Sequence, residues 1–579
     1  MCVSERGRGR FPVSSPIPEW SAIRAVASDK LALRRLTRWL CGCAAFFCLC
    51  LPAAADEATS ANAIPSFTEL QAAGAVIGEV RIVNDNIFDL DDPKEDNALF
   101  RLANRLHIRT RPSVIERSLL FHGGEPLSVH LIEESERLLR ANRYIYDVDI
   151  HPTAWHDGIV DIEVKTRDTW TLEPGFQFSR LGGSNSSSLS LKEYNLLGTG
   201  LVVGYAQSSD VDRKGTEFQI SQNHAFGGWT SIDLKLANYD DGKHQSFAVN
   251  RPFYALDARW AAGGSVLQDE RIDSIYQDAN IVGQYRHKRD AGEVYGGLSK
   301  GLIDGWAQRY SAGLSYLADI YTIDPSLIPP PVVPADQTLV GPFVRYELIE
   351  DDYEKVKNRD KIQRTEFLAM GFNSTVQVNR ALTSLGSTAN LWTFSASASD
   401  GLQVPRGNDL LISTYVSGQY GDGHWQRERL GGSTRYFVPQ GKRGMFYAAA
   451  SGDIVRNPQT TDDLLLLGGE NGLRGYPLRY QSGEQRALFT VEERVYTDWY
   501  PFRLFRVGGA VFYDIGRAWG GPFQNPVNPG WLSDVGFGLR IHNARAAVGN
   551  VLHVDIAFPL NPDPTIRPWQ FLVKSYANF

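Results

Sequence analysis

Hydrophobic and polar positions follow two different periods along this chain, and the change falls near residue 169. From Trp170 onward strict alternation recurs between clusters of Gly, Asp, Asn and Pro. Trp392, Phe394, Ala396 and Ala398 alternate with Thr393, Ser395, Ser397 and Ser399. Ile232, Leu234 and Leu236 alternate with Ser231, Asp233 and Lys235. Tyr310, Ala312, Leu314 and Tyr316 do so with Ser311, Gly313 and Ser315, and Leu552, Val554, Ile556 and Phe558 with His553 and Asp555. A period of two with one apolar and one polar face predicts half-buried strands. Lipid against one face and a wet interior against the other accounts for the rows of small Ser and Thr. Open sheet edges cannot stand in lipid, so such a sheet must close. A soluble sandwich or propeller also alternates, but it predicts fully buried strands or a repeat period, and no clear repeat is found. The expected fold is therefore mainly β: a closed transmembrane antiparallel β-barrel over 169–579.

Upstream, the pattern is that of a small α+β unit over 74–168. A strand is predicted around Val80 and Ile82. The acidic turn Asp89–Pro93 introduces a short helix in which Leu99, Leu102, Ala103 and Leu106 form one stripe. Ser113 and Glu116 have capping-box spacing and predict a helix through Leu120. Ser128 caps a clearer helix over Val129–Ala141. Strands over Ile145–Ile150 and Ile159–Lys165 close the unit. A polar Ala/Ser-rich linker, 56–73, precedes it.

All five cysteines (Cys2, Cys41, Cys43, Cys48, Cys50) lie ahead of Asp56. Arg34, Arg35 and Arg38 precede an apolar run, Trp39–Leu51, and the small residues Ala53–Ala55. This is the build of a secretory signal peptide, expected within 1–55, where the residues before Arg34 are long for its basic start and leave open a misassigned start codon. The run is too short for a membrane helix. Its loss removes eight Lys/Arg and three Asp/Glu, moving the net charge from −7 to −12. So acidic a mature chain argues against nucleic acid as a partner. A chain then free of thiols suits an oxidising compartment.

The stretch Leu464–Gly516 carries the candidate chemistry. Leu473-Arg474-Gly475-Tyr476 sits in a Gly-rich loop. In the strand that follows, Thr490, Glu492 and Arg494 share a face. In the next, Phe512, Asp514 and Gly516 share one. With the polar faces inward, Glu492 and Asp514 point into one enclosed space, and a guanidinium is their natural partner if the loop folds back.

An RGY loop, then a strand ending E-x-R, then F-x-D-x-G resembles the superfamily of bacterial surface-antigen barrels, which includes Bam-like and Tam-like assembly barrels and two-partner-secretion transporters. The resemblance implies that Arg474 is held inside the barrel by Glu492 and Asp514, and it implies about 16 strands. Further phrases are similar to the family's: KEYNLLGTG (192–200), RPFY (251–254), VGFGLR (535–540) and NVLHVDIAFPL (550–560). The closing Phe579 resembles the aromatic that outer-membrane assembly machinery reads. GGEPLS (123–128) and RYIYDVDI (143–150) resemble a polypeptide-transport-associated (POTRA) domain, with the helix around 94–106 inserted.

No G-x-S-x-G or H-E-x-x-H is present, and the eleven histidines are scattered. No enzyme activity, metal or cofactor is expected. Asp240-Asp241, Asp351-Asp352 and Asp462-Asp463 read as solvated loop charges. The resemblance implies an outer-membrane translocase or insertase with its N-terminal domain in the periplasm. Its partners would be membrane lipid and an unfolded protein client, with periplasmic or lipoprotein partners left open. The alternative is a passive channel for small solutes on the same scaffold.

Overall fold

The computed structural model describes residues 64–576 except 182, 211, 406, 460–463 and 548–550. The expected signal peptide, Asp462-Asp463 and Phe579 lie outside the described residues.

The N-terminal unit runs α1 (Phe67–Ala72), β1 (Val76–Asp85), α2 (Ala98–Leu106), α3 (Pro112–Glu116), α4 (Val129–Ala141), β2 (Ile145–His156) and β3 (Ile159–Asp168). Its sheet has the order β1-β3-β2, with β1 parallel and β2 antiparallel to the central β3. Leu70, Ile77, Ile115, Phe121, Ile132, Leu139 and the β3 residues Val160, Ile162 and Val164 form its core. α4 starts at Ser128, whose hydroxyl accepts from the Leu131 amide. The expected Ser113–Glu116 capping box is not made. Arg111 occupies the N-cap and Pro112 the first turn, because the fixed φ of proline suits that position and the amide it lacks would have had no partner within the helix.

The helix α2 departs from the expectation in a more informative way. The side chain that anchors it is Phe100, stacked on Phe88 at 3.8 Å and packed with Trp170 and Leu504. Of the predicted stripe, Leu99, Leu102 and Leu106 are exposed, while Ala103 packs against the Phe88–Phe100 cluster. The period was readable, but it does not say which side of an amphipathic helix meets the protein.

The remaining chain forms one closed antiparallel barrel of 20 strands, from Leu172–Leu181 to Gln570–Tyr576. Four strands more than the expected 16 fit because several connections are tight. Gln277 and Asn280, Ile303 and Trp306, and Gly421 and His424 are each separated by only two residues. Those turns use left-handed backbone at Asp278, Ala279, Asp304, Gly305, Asp422 and Gly423. An even strand number makes the first and last strands antiparallel, so they can close the sheet. Among the described residues that closure has a single registered pair, Val573 with Arg180.

Val294, Leu298, Tyr310, Leu314, Val344 and Leu430 are exposed on the outer face, and the alternate positions point inward. A continuous exposed apolar exterior on this scale is not that of a soluble monomer. The first barrel strand begins at the end of the cylinder next to the N-terminal unit, here called the near end. Among the described residues no helix is long and apolar enough to cross a membrane, which says nothing about strands.

Candidate functional site

Strand Gln485–Tyr496 pairs with Phe505–Trp519, setting Thr490 opposite Asp514 and Glu492 opposite Phe512. The inward parity buries Glu492, Arg494, Phe512 and Asp514 and leaves Val491, Val495, Val511 and Tyr513 outside. Gly516 follows on the same inward row, opposite Leu488 and Leu532. The far-end loop between Gly444–Arg456 and Gln485–Tyr496 folds back into the cylinder. Leu473, Tyr476 and Tyr480 are packed there with Leu467, Ala518 and Leu532.

At the loop tip Arg474 is buried. Its Nε and Nη2 donate to Asp514 Oδ2 and Oδ1 at 2.7 and 2.9 Å, a two-pronged pair, and Nη1 donates to Glu492 Oε1 at 2.7 Å. The guanidinium lies over the Phe512 ring, 3.4 Å from its centre. In a desolvated site such a stack contributes roughly 2 kcal/mol. The ring has room only because residue 536, directly across, is glycine: a Cβ there would stand 2.3 Å from Phe512 Cζ. The neighbouring Gly475 amide donates to Asp534 Oδ2 at 3.0 Å, and the Tyr476 hydroxyl donates to Ser533 O at 3.2 Å. The loop is thus held by backbone as well as by charge.

The cluster is larger than the three residues read from sequence. Arg494 Nε donates to Glu492 Oε2 at 2.8 Å, Arg540 pairs with Asp555, and Asp555 lies 3.6 Å from Arg474. Thr490 Oγ1 donates to Asp514 Oδ1 at 2.8 Å. Three guanidinium groups and four carboxylates therefore share a buried space, where each charge depends on the others to offset its desolvation. Asp534, Arg540 and Asp555 flank or lie in the motifs VGFGLR and NVLHVDIAFPL. Their inward parity with Asp514 was the available signal, and the alternation of a Gly-rich strand is faint.

A second element reaches the lumen from the near end and had no sequence signal. The connection between Gln337–Glu350 and Asn373–Ala381 contains its own hairpin, Tyr353–Lys357 with Thr365–Ala369. Its tip enters the barrel mouth. Ile362 is buried among Phe437, Met445, Tyr447, Tyr496 and Val551. Arg359 Nε donates to Asp409 Oδ2 at 2.7 Å, and the Tyr496 hydroxyl donates to Asn358 O. Arg494 Nη1 donates to Arg359 O at 3.5 Å, so the hairpin and the Arg474 cluster share a residue.

The hairpin also carries the N-terminal unit. His130 Nδ1 lies 2.8 Å from Asp351 Oδ2, and Arg137 Nη2 donates to Asp351 Oδ1 at 3.2 Å. Lys355 Nζ donates to Glu136 at 2.8 Å, and Arg364 Nη2 to Ile145 O at 3.0 Å. Asp351 is therefore an interdomain anchor, not the solvated loop charge expected. Asp241, likewise read as solvated, is buried and accepts from Arg213 Nε at 2.9 Å.

Two further anchors stand on opposite sides of the closure between the first and last barrel strands. On one side Arg545, in the turn after Leu532–Asn543, donates to Ile87 O at 3.1 Å and pairs with Glu95. On the other, the Arg111 amide donates to Gly198 O at 2.9 Å, in the turn before Leu201–Ser209, and Asn195 Nδ2, at the end of the strand leading into that turn, donates to Thr110 Oγ1 at 2.7 Å. The segment 87–111, with α2 in its middle, spans the closure from below.

No family model matches the chain. No curated protein matches it either. Among solved structures it is similar to BamA from Haemophilus ducreyi lacking POTRA domains 1–3, at 12% identity, covering 87% of this chain and 85% of that one with a TM-score of 0.38. It is also similar to CdiB from Acinetobacter baumannii, at 12% identity, 87% and 74% coverage and a TM-score of 0.43. CdiB from Escherichia coli stands at 13%, 86% and 76%, with 0.42.

Proposed function

We propose that the chain is an outer-membrane translocase or insertase that receives unfolded protein at its near end and moves it into or across the membrane. The exposed apolar exterior of a closed barrel supports a membrane setting, since antiparallel cylinders are one of two backbone solutions that satisfy every peptide group in lipid. The observation that carries the transport reading is the doubly occupied lumen. A far-end loop is clamped through Arg474, and a near-end hairpin sits on the cluster through Arg494. A resting pore for solutes would be left open, whereas a gated path for a polymer needs removable obstacles at both ends. In this reading the edge strand β2, paired only on its β3 side, offers backbone groups for strand addition by an extended client.

The passive-channel alternative has one observation in its favour. A cavity of about 580 Å³ remains at the lumen wall opposite the Arg474 cluster, lined by Ser265, Glu293, Ser417, Gln419 and Arg429. Planar-bilayer conductance separates the two. The transport reading expects a small, unsteady current that changes when a denatured outer-membrane polypeptide is added. A large, steady current indifferent to polypeptide would overturn it.

A further inference from the structure

The exposed stripe of α2 needs a partner that the described residues do not supply. Leu99 is 63% exposed, Leu102 49%, Leu106 63% and the following Ile108 54%. At 100° per residue the three leucines share one face. Phe100 and Asn104 face the protein, and Arg101 and Arg105 lie on the remaining side. The helix is not loose: Asn97 caps it by accepting from the Phe100 amide at 2.9 Å, and the Phe100–Phe88 stack fixes its roll.

The rim on which α2 is mounted continues the stripe in both directions. Leu504, against which Phe100 packs, belongs to a near-end turn whose Trp499 and Phe502 are 65% and 79% exposed. Beyond Ile108, Arg111 is bonded to the turn carrying Leu197, which is also exposed, and the next near-end turn displays Phe226. Exposed aromatic and aliphatic side chains on the turns that end membrane strands belong to the layer where acyl chains meet headgroups.

We propose that α2 lies in that interface, its leucine stripe in the boundary of the periplasmic leaflet and Arg105 at anionic headgroups, so that the N-terminal unit is moored to the lipid beneath the closure. This rests on the membrane reading of the barrel. An amphipathic helix with leucines on one side and arginines on the next is suited to lie in an interface at a depth of about 5–10 Å. The occupant is lipid rather than client chain because the stripe continues the barrel's own apolar rim.

The test uses the full chain with its five cysteines replaced by serine. Single cysteines are introduced as Leu102→Cys, Leu539→Cys on the outer barrel face and His156→Cys at the end of β2, each labelled with an environment-sensitive fluorophore. The protein is reconstituted in phosphatidylethanolamine–phosphatidylglycerol vesicles with bromines high on the acyl chains. At that depth the labels at 102 and 539 should each lose about half their emission, and the label at 156 should keep it. Quenching at 539 with none at 102 would overturn the proposal and leave the barrel in its membrane. Absence of quenching at both would instead remove the membrane reading itself. A label at 102 that responds only to added denatured polypeptide would assign the stripe to a client.

Discussion

Arg474 is a side chain whose neighbours were chosen for it one by one. Two carboxylates accept from three of its nitrogens, a ring lies beneath it, and the adjacent amide is bonded to a third carboxylate. Removing one member of a buried charge set leaves the rest uncompensated, at a cost of about 3–5 kcal/mol. Arg474→Ala should therefore release the loop and lower barrel stability by that order in urea unfolding. Client assembly should fall while the N-terminal unit keeps its own fold. Lysine should rescue little, because a point charge cannot make the two-pronged pair with Asp514. A subtler change should act through the backbone. A Cβ at Gly475 would stand 2.7 Å from Asp534 Cβ and 3.0 Å from the Pro559 nitrogen. Gly475→Ala should push the loop tip off its seat although no charge is lost, which appears as new protease cleavage within 464–484.

Strand alternation was legible because a closed barrel sets successive residues on opposite faces, one outside and the next toward the lumen. The pairing of a guanidinium with Glu492 and Asp514 could be framed from the inward faces of two strands. The hairpin 353–369 could not, because its contacts are tertiary: Ile362 looks like any loop isoleucine until Phe437 and Tyr447 surround it. The α2 stripe was legible as a stripe, but which side of the helix meets the protein was not, for the same reason. The hairpin makes two element-scale predictions. Deleting 355–367 should enlarge single-channel conductance several-fold while heat-modifiable migration of the barrel persists. The joint to α4 should also respond to pH. Asp351, which accepts from the imidazole, and then Glu134, 3.4 Å from Nε2, raise His130 to about 10 from its ordinary 6.5 against a lesser desolvation effect, and Asp351 is held low. Asp257 also faces the imidazole, and Arg137 shares Asp351. A group whose folded value is raised stabilises fully below its unfolded value and loses that contribution as pH rises through the folded one. Protection of α4 amides, taken relative to the intrinsic exchange rate at each pH, should fall between pH 6.5 and 10, and His130→Gln should flatten that dependence.

Across the whole molecule, the wall is uneven. Neighbouring strands such as 391–404 and 408–421 are registered over their full lengths, while the first and last strands share one described pair. Cysteines at Arg180 and Val573, facing positions within reach of a disulfide, should form a cross-link that halts client release without altering ion conductance; unchanged release would place the exit in the lumen. The N-terminal segment 87–111 is fastened at Arg545 on one bank of this gap and at Gly198 on the other. It acts as a hasp across a door. The two strands cannot part without stretching or unhooking it, so any opening of the wall there must be felt by the N-terminal unit.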